Sequence, residues 1–125
     1  MSGLTLDAGA LIAFDRSERT VVALIARAIE QGYTFAVPAG VVGQSWRDGS
    51  GQARLARFLG SSEVLIEGLD DQRAREAGQL CGVTKTRDVI DASVVLCAKR
   101  HGHRIVTSDP KDMLVLDPRV EVIAV

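Results

Sequence analysis

Asp88 and Asp91 stand three positions apart at the head of an apolar run, in "TRDVIDASVVL" (86–96), and Asp109 closes the strand-like "RIVTSDP" (104–110). Asp7 ends another short β-type run, "LTLD", near the start of the chain. Acids are thus placed where the most hydrophobic segments begin or stop. Carboxylates brought together repel and raise one another's pKa unless a cation neutralises them. Without a matching Lys or Arg, a cluster of Asp side chains calls for a hard divalent metal. Oxygen donors with open positions suit Mg²⁺ or Mn²⁺, which keep several waters and accept phosphate oxygens. Such a site readies a water for attack and stabilises a leaving oxygen, the chemistry of phosphodiester hydrolysis. That chemistry is a nuclease's.

Each acid also has a structural role open to it. Asp88 followed by Asp91 fits a helix N-cap with an acidic residue at the third helical position. Asp109 before Pro110 fits the cap of a short helix, and Asp7 fits the cap of the segment after the first strand. Capping accounts for Asp88 more readily than for Asp91, whose neighbours are so apolar that a carboxylate there needs a partner. Taken together, the capping roles leave the convergence of three distant acids unexplained.

The elements that must position these residues can be read along the chain. "LTLD", "YTFAVP", "EVLIEGL", "RIVT" and "VEVIAV" read as five strands. Between them lie helical patterns: "AGALIAF", "ERTVVALIARAIEQ" capped by Ser17 and stopped by Gly32, the pair "AGVVGQSWR" and "GQARLARFL", "DDQRAREAGQLCG" ending at Gly82, "DVIDASVVLCAKRHG" and "PKDMLVL". The sixth of these is apolar nearly all round, which implies burial on more than one side. Alternating strands and helices predict an α/β sandwich with a mainly parallel sheet and right-handed crossovers. In such a sheet ligand groups lie beyond the carboxyl ends of strands where strand order reverses. Asp7 and Asp109 fall at such ends, and Asp91, in the first turn of the helix leading into the fourth strand, can reach the same edge.

At 125 residues, 1–125 fit one domain. A formal net charge of -1 gives no whole-molecule field to steer a polyanion, so a nucleic-acid site must be a local patch. Arg47, Arg54 and Arg57 in "WRDGSGQARLARF" recur at helical spacings and could grip a phosphate backbone, though a solvated helix face explains Arg54 and Arg57 equally well. Trp46 reads as a core or interface anchor. Cys81 and Cys97 read as small buried thiols suited to a reducing cytosol. His101 and His103 flank Gly102 at a helix end, where cations are favoured in any case. No apolar run approaches the length of a membrane helix and the start lacks the pattern of a signal peptide, so the expected location is cytoplasmic.

Over nearly its whole length the chain resembles the PIN-domain family, the fold of the VapC toxins of bacterial type II toxin-antitoxin systems. The resemblance rests on "LTLDAGALIAF", "VPAGVVGQSWR" and "DVIDASVVLCAKRHGHRIVTSDPKDM". It implies a three-layer α/β/α sandwich with a five-stranded parallel sheet, a homodimer, a cognate antitoxin laid across the pocket, and Mg²⁺- or Mn²⁺-dependent cleavage of RNA. Residue by residue, it implies metal ligands at Asp7, Asp91 and Asp109, small hydroxyls beside the last acid at Thr107 and Ser108, and outer water-mediated contacts at Asp88 and Asp112. The chain departs from the family at Gln44, where a Glu is usual. Glutamine keeps a carbonyl oxygen for a metal water but lacks the charge and cannot act as a base. Asp88, sharing a helical face with Asp91, could restore it.

Two rivals stand beside a ribonuclease. One is a PIN-fold module that binds RNA or antitoxin without turnover, which Gln44 favours. The other is a phosphoacceptor receiver domain, disfavoured because Asp7 has no adjacent acid, the third strand ends "EGL" and no Lys follows the fifth.

Overall fold

The computed structural model describes residues 2–125. Its elements are β1 (Gly3–Leu6), α1 (Ala8–Asp15), α2 (Arg19–Glu30), β2 (Thr34–Pro38), α3 (Ala39–Ser45), α4 (Ala53–Leu59), β3 (Val64–Glu67), α5 (Asp71–Thr84), α6 (Val89–His101), β4 (Arg104–Thr107), α7 (Pro110–Leu116) and β5 (Val122–Ala124). The strands form one sheet in the order β3-β2-β1-β4-β5, with every neighbouring pair parallel.

That order decides where a site can form. From β1 the chain winds outward to β2 and β3, then returns to the far side of β1 for β4 and β5, so the reversal lies between β1 and β4. Right-handed crossovers in opposite directions put their helices on opposite faces. One layer holds α1, α2 and α4, where the Phe58 ring stands 5.0 Å from that of Phe14 and 5.2 Å from that of Phe35 on β2, centroid to centroid. The other holds α5, α6 and α7. Helix α6 buries Ala92, Val94, Val95, Cys97 and Ala98, the burial that its apolar pattern required. Because α6 leads into a strand parallel to the rest, it runs back along the sheet, and its first turn lies at the carboxyl edge.

Two local expectations are corrected. Ser17 does not cap α2: it occupies a left-handed turn at φ 63°, and the capping position falls to Glu18, which makes no side-chain bond. Gly82 does not end α5, which continues to Thr84 and stops where Lys85 turns left-handed at φ 59°. Both left-handed residues are exposed non-glycines, and the α5 stop is closed by backbone bonds, with the Lys85 and Thr86 N–H groups on the Cys81 carbonyl.

Candidate metal centre

Asp7 is the first residue beyond β1. Its N–H donates to the Val106 carbonyl at 3.2 Å, and its carboxylate accepts the Ala10 N–H at 2.9 Å, capping α1. The residue is 5% exposed. Burial pushes its pKa up, as does Asp109; the Thr107 hydroxyl and the Ala10 and Gly9 N–H groups act against the rise.

Asp109 comes from the neighbouring strand end. It occupies the capping position of α7, before Pro110, yet its side chain makes no capping bond. Its backbone N–H instead donates to Thr107 Oγ1 at 2.8 Å. The loops after β1 and β4 approach so closely that a Cβ on Gly9 would collide with the Ser108 side chain. Any side chain at position 9 would force the Ser108 hydroxyl to turn away.

Asp88 caps α6, accepting the Asp91 N–H at 2.9 Å. Asp91, half-buried in that first turn, has its pKa pushed up to about 6, by burial first and then by Asp88, Asp112, Asp7 and Asp109. One carboxyl therefore feels four others. Among the described residues none of these five acids forms an ion pair with Lys, Arg or His. A cavity of about 250 Å³ beside them is lined by Thr86, Arg87, Asp88, Asp91, Asp112, Val115 and Leu116. Arg87 was passed over in the sequence; its adjacency to Asp88 was the available signal.

An all-oxygen donor set, partly desolvated and without an ion pair among the described residues, fits a hard divalent cation. The convergence is electrostatic rather than close-packed: the oxygens of Asp7, Asp91 and Asp109 do not all lie within 4.8 Å of one another. Gln44 is exposed on α3. Asp48 folds into its own turn, accepting the Ser50 N–H at 2.8 Å. Trp46 packs partly buried against the core, consistent with an anchor. Arg47 donates to the Trp46 carbonyl at 2.7 Å. Arg54 and Arg57 line a groove on the α1, α2 and α4 layer together with Phe14, Val22, Ile25 and Phe58, and none of the five acids lines it.

A second polar cluster was not foreseen. Glu67, 7% exposed at the end of β3, accepts from Arg100 at 2.6 Å and lies 3.2 Å from His101 Nε2. Burial alone would raise its pKa, but hydrogen bonds from Arg100, Cys97 and His101 outweigh it and bring it to about 2. Cys81 and Cys97 are both free and buried, as expected.

No family model matches the sequence, and no curated protein matches it. Solved structures do. Over 98% of this chain and 98% of the other, it superposes on a chain of VapBC2 from Rickettsia felis bound to a DNA fragment from their promoter, with TM-score 0.70 and 16% identity. A chain of FitAcB from Neisseria gonorrhoeae gives TM-score 0.65 at 19% identity over 96% of each chain. VapC20 from Mycobacterium tuberculosis, a sarcin-ricin loop cleaving toxin, gives TM-score 0.62 at 13% identity over 84% of this chain and 87% of that one. A likeness at such identities establishes architecture, and the architecture of this chain is the PIN-domain fold.

Proposed function

We propose that the chain is a Mg²⁺- or Mn²⁺-dependent ribonuclease, a VapC-type toxin acting in the cytoplasm as a homodimer and neutralised by a cognate antitoxin. The observation that carries the reading is Asp91, which lines a cavity with Asp88 and Asp112 at the carboxyl edge of the sheet: a half-buried carboxyl pushed up to about 6 by burial first and then by four other acids, without an ion pair among the described residues. Asp7, Asp91 and Asp109 are the ligands in this reading, and Gln44, Asp88, Thr107, Ser108 and Asp112 arrange the surrounding waters. When bound, the cation supplies a neutralising charge for the phosphate and acidity for a water. The chain's own groups do the rest. The α1 cap fixes the Asp7 carboxylate, Thr107 sets Asp109 relative to it, and Arg87, which lines the cavity with Asp88 and Asp91, is the cation placed to meet the RNA backbone.

Support for RNA as substrate comes from VapC20, named for cleaving the sarcin-ricin loop, and support for an antitoxin comes from the paired names VapBC2 and FitAcB. The test is cleavage of a structured RNA by the purified chain. EDTA and Asp91→Asn should each abolish it, and cleavage that survives both would end the proposal.

A second reading, a PIN-fold module that binds RNA or antitoxin without turnover, is favoured by Gln44 and by the spacing of the acids. Mn²⁺ calorimetry separates the two: a binding module takes up no metal in this pocket while still holding RNA.

A further inference from the structure

We propose that Glu67, Cys97 and His101 form a second metal site, one selective for Zn²⁺ rather than for the hard ions of the acidic pocket. One ligand atom from each lies within 4.8 Å of the other two. Two elements build the set. Cys97 and His101 are four positions apart on α6, so their side chains share a face, a spacing suited to chelation from a helix. Glu67 arrives from the end of β3, where pairing with Pro38 of β2 fixes its backbone. A thiolate, an imidazole and a carboxylate are the donors Zn²⁺ selects, whereas Mg²⁺ and Mn²⁺ prefer oxygen alone.

The surroundings are arranged for the role. Arg100 Nη2 holds Glu67 Oε2 at 2.6 Å, while Oε1 faces His101 Nε2 at 3.2 Å and takes a longer 3.3 Å bond from Arg100 Nε. The guanidinium thus orients the carboxylate in the way outer partners of metal ligands do. The His101 ring stacks on His103 at 5.2 Å between centroids, and His103 Nδ1 is anchored to Thr5 Oγ1 at 3.1 Å. Zn²⁺ would form bonds to sulfur, nitrogen and one oxygen, the Cys97 thiol releasing its proton to solvent, and a water would complete four-coordination. The charges of Arg100 and of Arg73, 3.9 Å from Glu67 Oε1, together with burial that holds the Cys97 thiol well above its usual range until a metal binds, keep the affinity below that of an all-cysteine site. His101 lies ten residues beyond Asp91, roughly 15 Å along the helix, so the two sites are separate. The bound ion would pin the end of the edge strand β3 to α6.

The test uses the full chain, freed of metal by chelation and titrated with Co²⁺ alone. One equivalent should produce a sulfur-to-cobalt charge-transfer band in the near ultraviolet, and Zn²⁺ should abolish the band while excess Mg²⁺ leaves it. Cys97→Ser should remove the band, and His101→Ala and Glu67→Gln should each weaken Zn²⁺ binding by about tenfold or more. Cys81→Ser and Asp91→Asn should leave it intact. Absence of the band, its survival in Cys97→Ser or its loss in Cys81→Ser overturns the site. Because Cys97 is fully buried, His101→Ala carries the test if Cys97→Ser does not fold, and unchanged Zn²⁺ affinity in that variant also overturns it.

Discussion

The Thr107 hydroxyl accepts the backbone N–H of Asp109 at 2.8 Å, which leaves its own proton for the carboxylate of Asp7. One buried side chain thus ties the loops after β1 and β4, the two strands that flank the reversal in the sheet. Thr107→Val keeps the shape and removes both bonds. Stability should fall by about 1–3 kcal/mol, the usual penalty for stranding buried polar groups. Mn²⁺ affinity should fall by about tenfold, as for lost outer partners of metal ligands. Thr107→Ser should recover most of both. Urea melts with and without Mn²⁺ measure this, and a valine variant equal to the parent would deny the hydroxyl any part in the site.

Asp91 makes the metal-free protein less stable as pH rises. Its folded-state pKa, about 6, exceeds the ordinary 3.8, so between those values the folded chain holds a proton that the unfolded chain has released. Stability therefore falls as pH climbs through that window and stays low above it. Asp91→Asn should raise the melting temperature at pH 7.5 in EDTA, and the gain should shrink to nothing as pH drops below about 4. Added Mn²⁺ should reverse the order at pH 7.5, since only the parent gains from binding. Thermal melts at several pH values, with EDTA or Mn²⁺, decide it; a pH-independent gain would mean that Asp91 is not held protonated by its neighbours.

The strands and the parallel sheet were legible because short apolar runs alternate with 3.6-period segments, and the all-round apolar pattern of 89–101 foretold the burial of α6 on more than one side. The acids were legible for a related reason: in a parallel sheet a charged residue at the end of an apolar strand has one place to go. Strand order was not legible, since nothing local in Leu4 or Val106 says that their strands are neighbours. Nor was the partnership of Glu67 with Arg100, 33 positions away, which exists only once α6 packs across β1 and β2. Ser17 and Gly82 misled for the opposite reason. Their types favour caps and stops, but the helix ends fall elsewhere, closed by backbone bonds such as Glu18 N–H on the Ala13 carbonyl and Thr86 N–H on the Cys81 carbonyl, both at 3.0 Å.

That same partnership has a pH signature opposite to that of Asp91. Glu67 has a folded pKa of about 2 against an ordinary 4.5, so its contribution is complete above 4.5 and is lost as pH falls towards 2. Glu67→Gln removes the charge that Arg100 pairs with and one of the two oxygens that accept from it, and should destabilise the chain by roughly 2–3 kcal/mol at pH 7, somewhat under the range for breaking a buried pair because Arg100 is partly exposed. The difference from the parent should narrow steadily between pH 4.5 and pH 2. Urea melts in EDTA across that range test it, and a constant difference would mean that packing, not charge, accounts for the loss.

Gln44 lies four positions beyond Gly40, and Gly40 rests so tightly on Ile90 that a Cβ there would collide with the Ile90 side chain. Positions four apart share a helical face, so Gln44 belongs to the side of α3 that meets the first turn of α6, where Ile90 precedes Asp91. Gln44→Glu should therefore add a charge within reach of the acidic pocket. If that charge meets the cation, Mn²⁺ binding should tighten by about tenfold, or roughly 1.4 kcal/mol. The same charge should destabilise the metal-free chain by raising the repulsion on Asp91, which would move its titration further above about 6. Calorimetry with Mn²⁺ and melts in EDTA measure the two effects separately. Tighter binding with lower metal-free stability places Gln44 beside the cation, whereas lower stability with unchanged affinity would show that Asp88 or Asp112 already supplies the fourth charge.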